Sequence, residues 1–330
     1  MRKRTSVEVA GEVGATRELA QFAADVAYYL VQSPRQLPSR YLYDALGSAL
    51  FEAICHLPWY GITRAESSLL VAHAREIFRR VESLSAIVEL GPGSGEKLRT
   101  LLQRAGRAHS RLAVHLVDVS PTALQTSMAT LGSVDGVRVI EHATSYEAGL
   151  AEAARQTAAG ERSLVLFLGS NIGNFDRPGA AALLRSIRQT LAHGDALLLG
   201  ADLVKPKPDL LLAYDDPLGV TAAFNRNLLV RINRELRGNF AVEEFAHEAV
   251  WNADASRVEM HLVARSAQRV DVPGAGIKMT IEAGERIWTE SSYKYRPDDI
   301  VELLAAAGFH LGEQWIEPRD GFALTLVEAA

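Results

Sequence analysis

The chain has one cysteine in 330 residues, Cys55. A lone thiol cannot close an internal disulfide, and the chain fits a reducing compartment. Cys55 ends the apolar helical run Leu50-Phe51-Glu52-Ala53-Ile54-Cys55, the setting of a buried small residue rather than a nucleophile. Long hydrophobic runs are missing as well. The longest, residues 196–204, is broken by Gly200 and Asp202 and is far too short to span a bilayer. Arg2, Lys3 and Arg4 are followed by polar and acidic residues instead of an apolar stretch, so no signal peptide is read. A cytoplasmic protein without a membrane partner is expected. Positive charge is not in excess: 35 Lys and Arg face 40 Asp and Glu, for a net charge of -5. That argues against a nucleic-acid partner held by bulk charge. The nine histidines show no H-x-x-x-H spacing and no Cys/His cluster, so no metal is expected. There is no nucleophile elbow, P-loop lysine pattern, internal repeat or low-complexity tract.

What remains is an ordinary globular composition, 48% hydrophobic and 23% charged, long enough for a large core and two domains. Its organising stretch is Ile87-Val88-Glu89-Leu90-Gly91-Pro92-Gly93-Ser94-Gly95-Glu96-Lys97. It reads as a strand, a tight loop and a helix start. Gly91, Gly93 and Gly95 allow backbone angles closed to other residues and let a ligand lie against the main chain. The helix start presents free N–H groups. The dinucleotide fingerprint is G-x-G-x-x-G, and here Gly95 arrives one place early. An acid at the strand end, Glu89, suits a cation or a hydroxyl-rich ligand better than a phosphate. S-adenosylmethionine (SAM) has an ammonium, a ribose diol and no phosphate.

Residues 15–32 and 41–57 show helical spacing, with a loop at 36–40 between them. A longer helix follows Pro58-Trp59-Tyr60-Gly61 and runs to about Val81. This front segment reads as a helical cap. Strand-like runs at 86–90, 112–119, 137–142, 164–168 and 196–203 then alternate with helical stretches, which argues for a parallel sheet covered on both faces. Ligands of such sheets sit beyond the carboxyl ends of the strands. Site candidates are therefore Glu89 with the glycines, Asp118, Ser145-Tyr146, residues 169–174 and Asp202. After Lys205-Pro206-Lys207-Pro208, helix signals run over 209–236, and antiparallel strands are expected at 248–264, 268–272 and 277–281. A helix at 298–307 and a terminal hairpin, 308–317 with 322–327, close the chain.

Asp118 ends the second strand, a little beyond the roughly 20-residue interval of a ribose-binding acid. It also fits a helix start, Asp118-Val119-Ser120-Pro121, although Ser120 is the better cap and leaves Asp118 for a ligand. Asn174 reads equally as a turn former and as an amide able to grip a carboxylate. Tyr214-Asp215-Asp216 is a polar cluster beside an apolar run. Glu290 and Ser292 lie two apart, so on a strand they face one way. Together they could bind an N–H ring, or form a solvated strand face.

Several long segments, in order, carry a resemblance. They are Tyr41-Leu42-Tyr43-Asp44-Ala45-Leu46-Gly47-Ser48, Leu57-Pro58-Trp59-Tyr60-Gly61-Ile62-Thr63-Arg64-Ala65-Glu66, residues 167–174, 213–216 and 219–227, and residues 289–297. The chain resembles the L-histidine Nα-methyltransferases of ergothioneine biosynthesis from about Tyr41 onward. That resemblance implies a class I SAM-dependent methyltransferase sheet (α/β, Rossmann-like) at 66–202 and 295–330. It also implies a second, α+β substrate domain at 1–65 and 203–294. It implies trimethylation of L-histidine to hercynine with SAM as co-substrate. By position, Gly91, Lys97 and Asp118 would hold SAM, with Glu89, Gly93, Gly95, Ser145 and Tyr146 around it. Tyr60, Glu290 and Ser292 would hold the imidazole, and Met260 would line the ring pocket. Asn174 and Tyr214 would hold the carboxylate. Tyr43 and the Gly169 backbone would lie near the α-amino group. The chain departs from the family where Ser145-Tyr146 replaces an Asp-Phe pair, where Gly61 replaces an aromatic, and at Pro92 and Ser94 in the loop. A family methyltransferase for another amine and a SAM-binding regulator without turnover are the alternatives. A nicotinamide dehydrogenase is disfavoured by the glycine spacing.

Overall fold

A computed structural model describes residues 6–106, 112–158 and 160–329, with backbone alone over 6–17. In chain order the elements are α1 (Ser6–Tyr29), β1 (Arg35–Gln36), α2 (Ala45–Cys55), α3 (Gly61–Arg80), β2 (Leu84–Leu90), α4 (Glu96–Ala105), β3 (Leu112–Asp118), α5 (Pro121–Leu131), β4 (Val137–Ala143), α6 (Tyr146–Gln156), β5 (Arg162–Phe167), α7 (Arg177–Thr190), β6 (Ala196–Asp202), α8 (Lys207–Tyr214), α9 (Val220–Leu236), β7 (Phe245–Asn252), β8 (Arg257–Ala264), β9 (Gln268–Val272), β10 (Ile277–Ile281), β11 (Arg286–Tyr293), α10 (Pro297–Ala306), β12 (Phe309–Glu317) and β13 (Phe322–Ala329).

The chain divides into two compact units. The larger comprises Cys55–Ala213, Trp251–Val258 and Ser292–Ala330. Its seven-stranded sheet has the order β12-β13-β6-β5-β2-β3-β4. β6, β5, β2, β3 and β4 are parallel, and β13 runs antiparallel to both β6 and β12. The run Leu164-Val165-Leu166-Phe167 is fully buried, as expected of a parallel strand covered on both faces. Val88, Leu90, Val165, Phe167, Leu197 and Leu199 pack against the apolar sides of α6, α7 and α10. Residues between them, among them Ile87 and Glu89, point to the opposite face. The chain leaves β2 toward β3 and β4, then returns to place β5 on the other side of β2. That reversal opens a crevice at the carboxyl ends of β2 and β5, where such sheets bind ligands.

The larger unit takes in residues 55–65, 203–213, 251–258 and 292–294, which the sequence groups with the second domain. Packing explains the shift. A Cβ at Gly61 would come within 2.6 Å of Asp320 in the β12–β13 turn, so α3 starts against the sheet. Leu203 bridges Tyr295 beyond the end of β6.

The smaller unit takes the chain up to Ile54, together with Tyr214–Val250 and Glu259–Ser291. Its sheet has the order β1-β11-β8-β7, with β1 parallel to β11, and β9 pairs antiparallel with β10. The helix expected over 41–57 forms only from Ala45, because residues Ser39–Leu42 make a 3-10 turn. The expected helical stretch 209–236 is two helices. Asp216 breaks it by accepting the N–H groups of Val220 and Thr221 at 3.1 and 2.7 Å, which starts α9. Asp44 ties α2 to α9. It accepts from the Gly47 N–H, Asn227 Nδ2 and Arg234 Nη2, each at 2.7 Å.

Gly47 marks where α2 meets the preceding turn: a Cβ there would lie 1.7 Å from the Leu42 carbonyl oxygen. Backbone cannot yield as a side chain does. Gly47→Ala should therefore lower unfolding stability by about 1–3 kcal/mol, read as a lower urea midpoint. An unchanged midpoint would contradict this packing.

Candidate active site

The crevice is built from four segments of the larger unit. β2 carries Glu89 and runs into Gly91, whose N–H donates to the Val117 carbonyl on β3 at 2.9 Å. Gly91, Gly93 and Gly95 all have positive φ, from 57° to 76°. A Cβ at Gly91 would lie 2.7 Å from Asn171 Nδ2 and 2.9 Å from the Tyr146 hydroxyl, so this position requires glycine on two counts. Gly95 opens α4, and Lys97 lies in the first turn of that helix.

Glu66 of α3 is completely buried. Its two oxygens accept the Gly169 N–H at 2.8 and 2.9 Å, and it pairs with Lys97 Nζ. A Cβ at Gly200 on β6 would meet Glu66 Oε1 at 2.1 Å, so the carboxylate lies directly over that glycine. Burial penalises the Lys97 ammonium, but the Glu66 carboxylate outweighs it and holds the group above its ordinary value. Glu89, also buried, has an oxygen, Oε2, with no hydrogen-bond partner among the described residues. Burial pushes its carboxyl up to about 8, with Lys97 opposing and Glu66 adding to the rise.

Asp118 ends β3, and burial raises its carboxyl above the ordinary value. Its Oδ1 accepts the Ser120 N–H at 2.8 Å, while Ser120 Oγ caps α5 by accepting the Ala123 N–H at 3.3 Å. Ser120 is thus the cap. Ser145 caps α6 at 3.4 Å through the Ala148 N–H. Tyr146 stacks edge-on against Phe167 with centroids 5.5 Å apart. Gly169 takes positive φ after β5, and Asn171–Asn174 form a 3-10 turn with Asn174 exposed. Tyr60 precedes α3 and is buried.

A second buried charge cluster lies at the end of β6. Asp202 Oδ2 pairs with Lys294 Nζ at 2.7 Å, and both side chains are essentially without exposure. Lys294 Nζ also donates to Ser292 Oγ at 2.9 Å. In the smaller unit, Tyr43 meets Phe51 and Phe224 edge-on, each at 5.5 Å. The Tyr214 carbonyl accepts from His247 Nε2 at 2.8 Å, and Asn225 Nδ2 lies 2.9 Å from His247 Nδ1. Met260 is buried on β8, and its carbonyl accepts from Thr289 Oγ1 at 3.0 Å. Glu290, half-buried on β11, has its carbonyl capped by Trp288 Nε1 at 2.8 Å.

Residues 22–329 match the family described as histidine-specific methyltransferase, SAM-dependent. The chain belongs to that family. This methyltransferase is 40% identical to "Histidine N-alpha-methyltransferase" of Mycolicibacterium smegmatis, over 92% of its own length and 93% of that protein. It is 39% identical to the protein of the same name from Mycobacterium tuberculosis, over 97% and 98% of the two chains. It is also 30% identical to "Ergothioneine biosynthesis protein 1" of Neurospora crassa, covering 86% of this chain and 32% of that one.

The crevice of the methyltransferase fits SAM chemically. Glu89 offers an unpartnered buried carboxyl oxygen for a cation, and the glycine turn leaves the backbone bare. Asp118 can accept a diol while one oxygen stays on Ser120. Among the described residues no group of His, Cys, Asp and Glu could hold a metal ion, and no helix is long and apolar enough to cross a membrane. Cys55, expected to be buried, is half-buried. His115 is a buried strand residue as expected, and its Nδ1 lies 2.9 Å from His142 Nε2.

Sequence reading gave no role to Glu66 or Lys294. Glu66 had a visible signal. It stands in the apolar stripe of α3 with Leu69, Leu70 and Ala74, where a carboxylate must find a buried partner. Lys294 had a fainter one, a cation between Tyr293 and Tyr295.

The raised Glu89 carboxyl sets a pH dependence. Unfolded, the group ionises near 4.5; folded, it holds its proton up to about 8. Between those values the folded chain binds more protons, so its stability falls as pH rises and levels off above the window. Glu89→Gln should remove that decline: without ligand, the variant should melt above wild type at the upper end of the window and with it at the lower end. Parallel melting curves at all pH values would contradict the buried, unpaired carboxyl.

Proposed function

We propose that this methyltransferase transfers methyl groups from SAM to the α-amino nitrogen of L-histidine, up to the trimethylated betaine hercynine, in ergothioneine biosynthesis. The reading is supported most by Glu290 on β11, a half-buried carboxylate two residues from Ser292, in a chain about as long as its histidine-methylating relatives. A carboxylate and a hydroxyl on one strand face can grip a ring N–H, and a site built for that bond strongly rejects rings lacking it.

In this proposal the larger unit holds SAM. Glu89 faces the ammonium, and Asp118 the ribose. Gly91, Gly93 and Gly95 admit the chain of the cofactor, Lys97 holds its carboxylate, and Ser145 and Tyr146 flank the adenine. Tyr60, Met260, Glu290 and Ser292 hold the imidazole. Asn174 and Tyr214 take the substrate carboxylate, while Tyr43 and the Gly169 backbone lie near the amine. SAM supplies an electrophilic methyl on sulfur; the nitrogen attacks with its lone pair after losing a proton. No histidine or lysine in this set acts as the base. The proton leaves to water, assisted by Tyr43 and backbone carbonyls, and the rate gain comes mainly from positioning two reactants.

Protein incubated with SAM and L-histidine should give products heavier by one, two and three methyl groups by mass spectrometry. Turnover of another amino acid, but not of histidine, would overturn the substrate assignment. Glu290→Ala should raise the KM for L-histidine at least about 100-fold and leave the Kd for S-adenosylhomocysteine within about 2-fold, since a uniform binding contact to one substrate is lost. Equal damage to both ligands would count against the role of Glu290.

A further inference from the structure

Glu66, Glu89 and Lys97 lie together in the larger unit, two buried acids and a single ammonium. The ammonium is already taken. Lys97 Nζ hydrogen-bonds Glu66, whose oxygens also accept the Gly169 N–H at 2.8 and 2.9 Å. Its position is set as well, because Nζ lies 3.3 Å from where a Cβ on Gly169 would stand.

Glu89 is the acid left over. It is 2% exposed, and its Oε2 has no hydrogen-bond partner among the described residues. The neighbouring strands bring it no cation: in register it is flanked by Leu116 of β3 and Leu166 of β5. The charged groups acting on it are Lys97 from α4, through its field alone, and Glu66 from α3, which repels a second negative charge. The Cys55 thiol acts on Lys97 in turn. An ionised Glu89 would thus share a lysine that Glu66 already holds, and a buried charge without a partner of its own takes up a proton instead. Asp118 is a different case. It accepts the Ser120 N–H at 2.8 Å, and the ribose proposed for it is uncharged. SAM changes the balance at Glu89, since its ammonium and sulfonium outnumber its one carboxylate.

We propose that Glu89 couples donor binding to proton release: it holds a proton in the free crevice and yields it to solvent as SAM seats, which makes it the residue that selects an ammonium-bearing donor. The carboxyl O–H bond breaks, the proton passes to the buffer, and the carboxylate pairs with the ammonium; no bond of SAM changes. The inference rests on the proposed seat of that ammonium at Glu89. Its sign follows from linkage. Below about 8, where the free carboxyl keeps its proton, SAM binds more tightly as pH rises, and above that value the dependence ends.

The test is calorimetry of SAM binding to the whole chain, without L-histidine, in PIPES and in ACES, whose different ionisation enthalpies report the protons exchanged. Wild type at about pH 6.5 should release about one proton per SAM bound, and its Kd should fall about 10-fold from about pH 6 to about pH 7. Glu89→Gln, which copies the neutral acid in shape, should release none and keep a flat Kd over that range. Difference infrared spectra follow the same carboxyl in wild type alone: the C=O stretch of a protonated acid should be lost when SAM binds. SAM binding without proton release, with that stretch kept, or with release undiminished in Glu89→Gln would overturn the coupling. A wild type that does not bind SAM would instead sink the underlying reading of the crevice.

Discussion

The crevice depends on one buried carboxylate. Glu66 reaches from α3 to the Gly169 N–H at the end of β5 and to Lys97 on α4, over a β6 glycine that leaves it room. Breaking such a pair from one side leaves a naked charge in the core, at a cost of about 3–5 kcal/mol. The three segments it joins flank the point where the strand order reverses. The loop after β2 and the loop after β5 are therefore tied together through this carboxylate. The same charge acts on Glu89, which sits close enough for Glu66 to add to its raised carboxyl. The ion pair thus sets the geometry of the crevice, while burial holds the neighbouring Glu89 toward its neutral form, with Lys97 opposing and Glu66 adding a smaller push.

The larger unit is stabilised mainly by apolar burial between its sheet and α6, α7 and α10. Several of its buried polar groups lie toward strand ends, among them Glu89 and Asp202. Asp202 with Lys294 at the end of β6, like Glu66 with Lys97 near the end of β5, pairs a buried acid with a lysine. The smaller unit carries hydrogen-bond networks of its own. Asp44 joins α2 to α9, and Asn225 and His247 lead to the Tyr214 carbonyl. Burial lowers the His247 pKa, which keeps a neutral ring between Asn225 and that carbonyl.

Much of the larger unit is legible in the chain because its signals are local. The strands β2, β3, β4, β5 and β6 appear within two residues of their expected ends, all but the partly exposed edge strand β4 as largely buried runs. The loop 91–95 declares its backbone through its glycines, and β9 and β10 have the bounds read from alternation alone. The smaller unit is less legible. β1 is two residues long and exists only because β11 supplies its partner. The break between α8 and α9 comes from Asp216 capping, which a continuous apolar periodicity conceals. The site divides along the same line. Glycines and strand-end acids announce themselves, whereas Glu66 and Lys294 act on groups about 100 residues away, at Gly169 and Asp202. A charge on an apolar stripe shows that some partner exists without saying which.

The central claim is that the β2–β5 crevice, held by Glu66, is the seat of the methyl donor. A crystal structure of the protein with S-adenosylhomocysteine tests it most directly. The account predicts the amino-acid end beside Glu89 and Lys97, the ribose on Asp118, and the backbone of Gly91 against the ligand. A nucleoside bound away from Gly91 and Asp118 would contradict it.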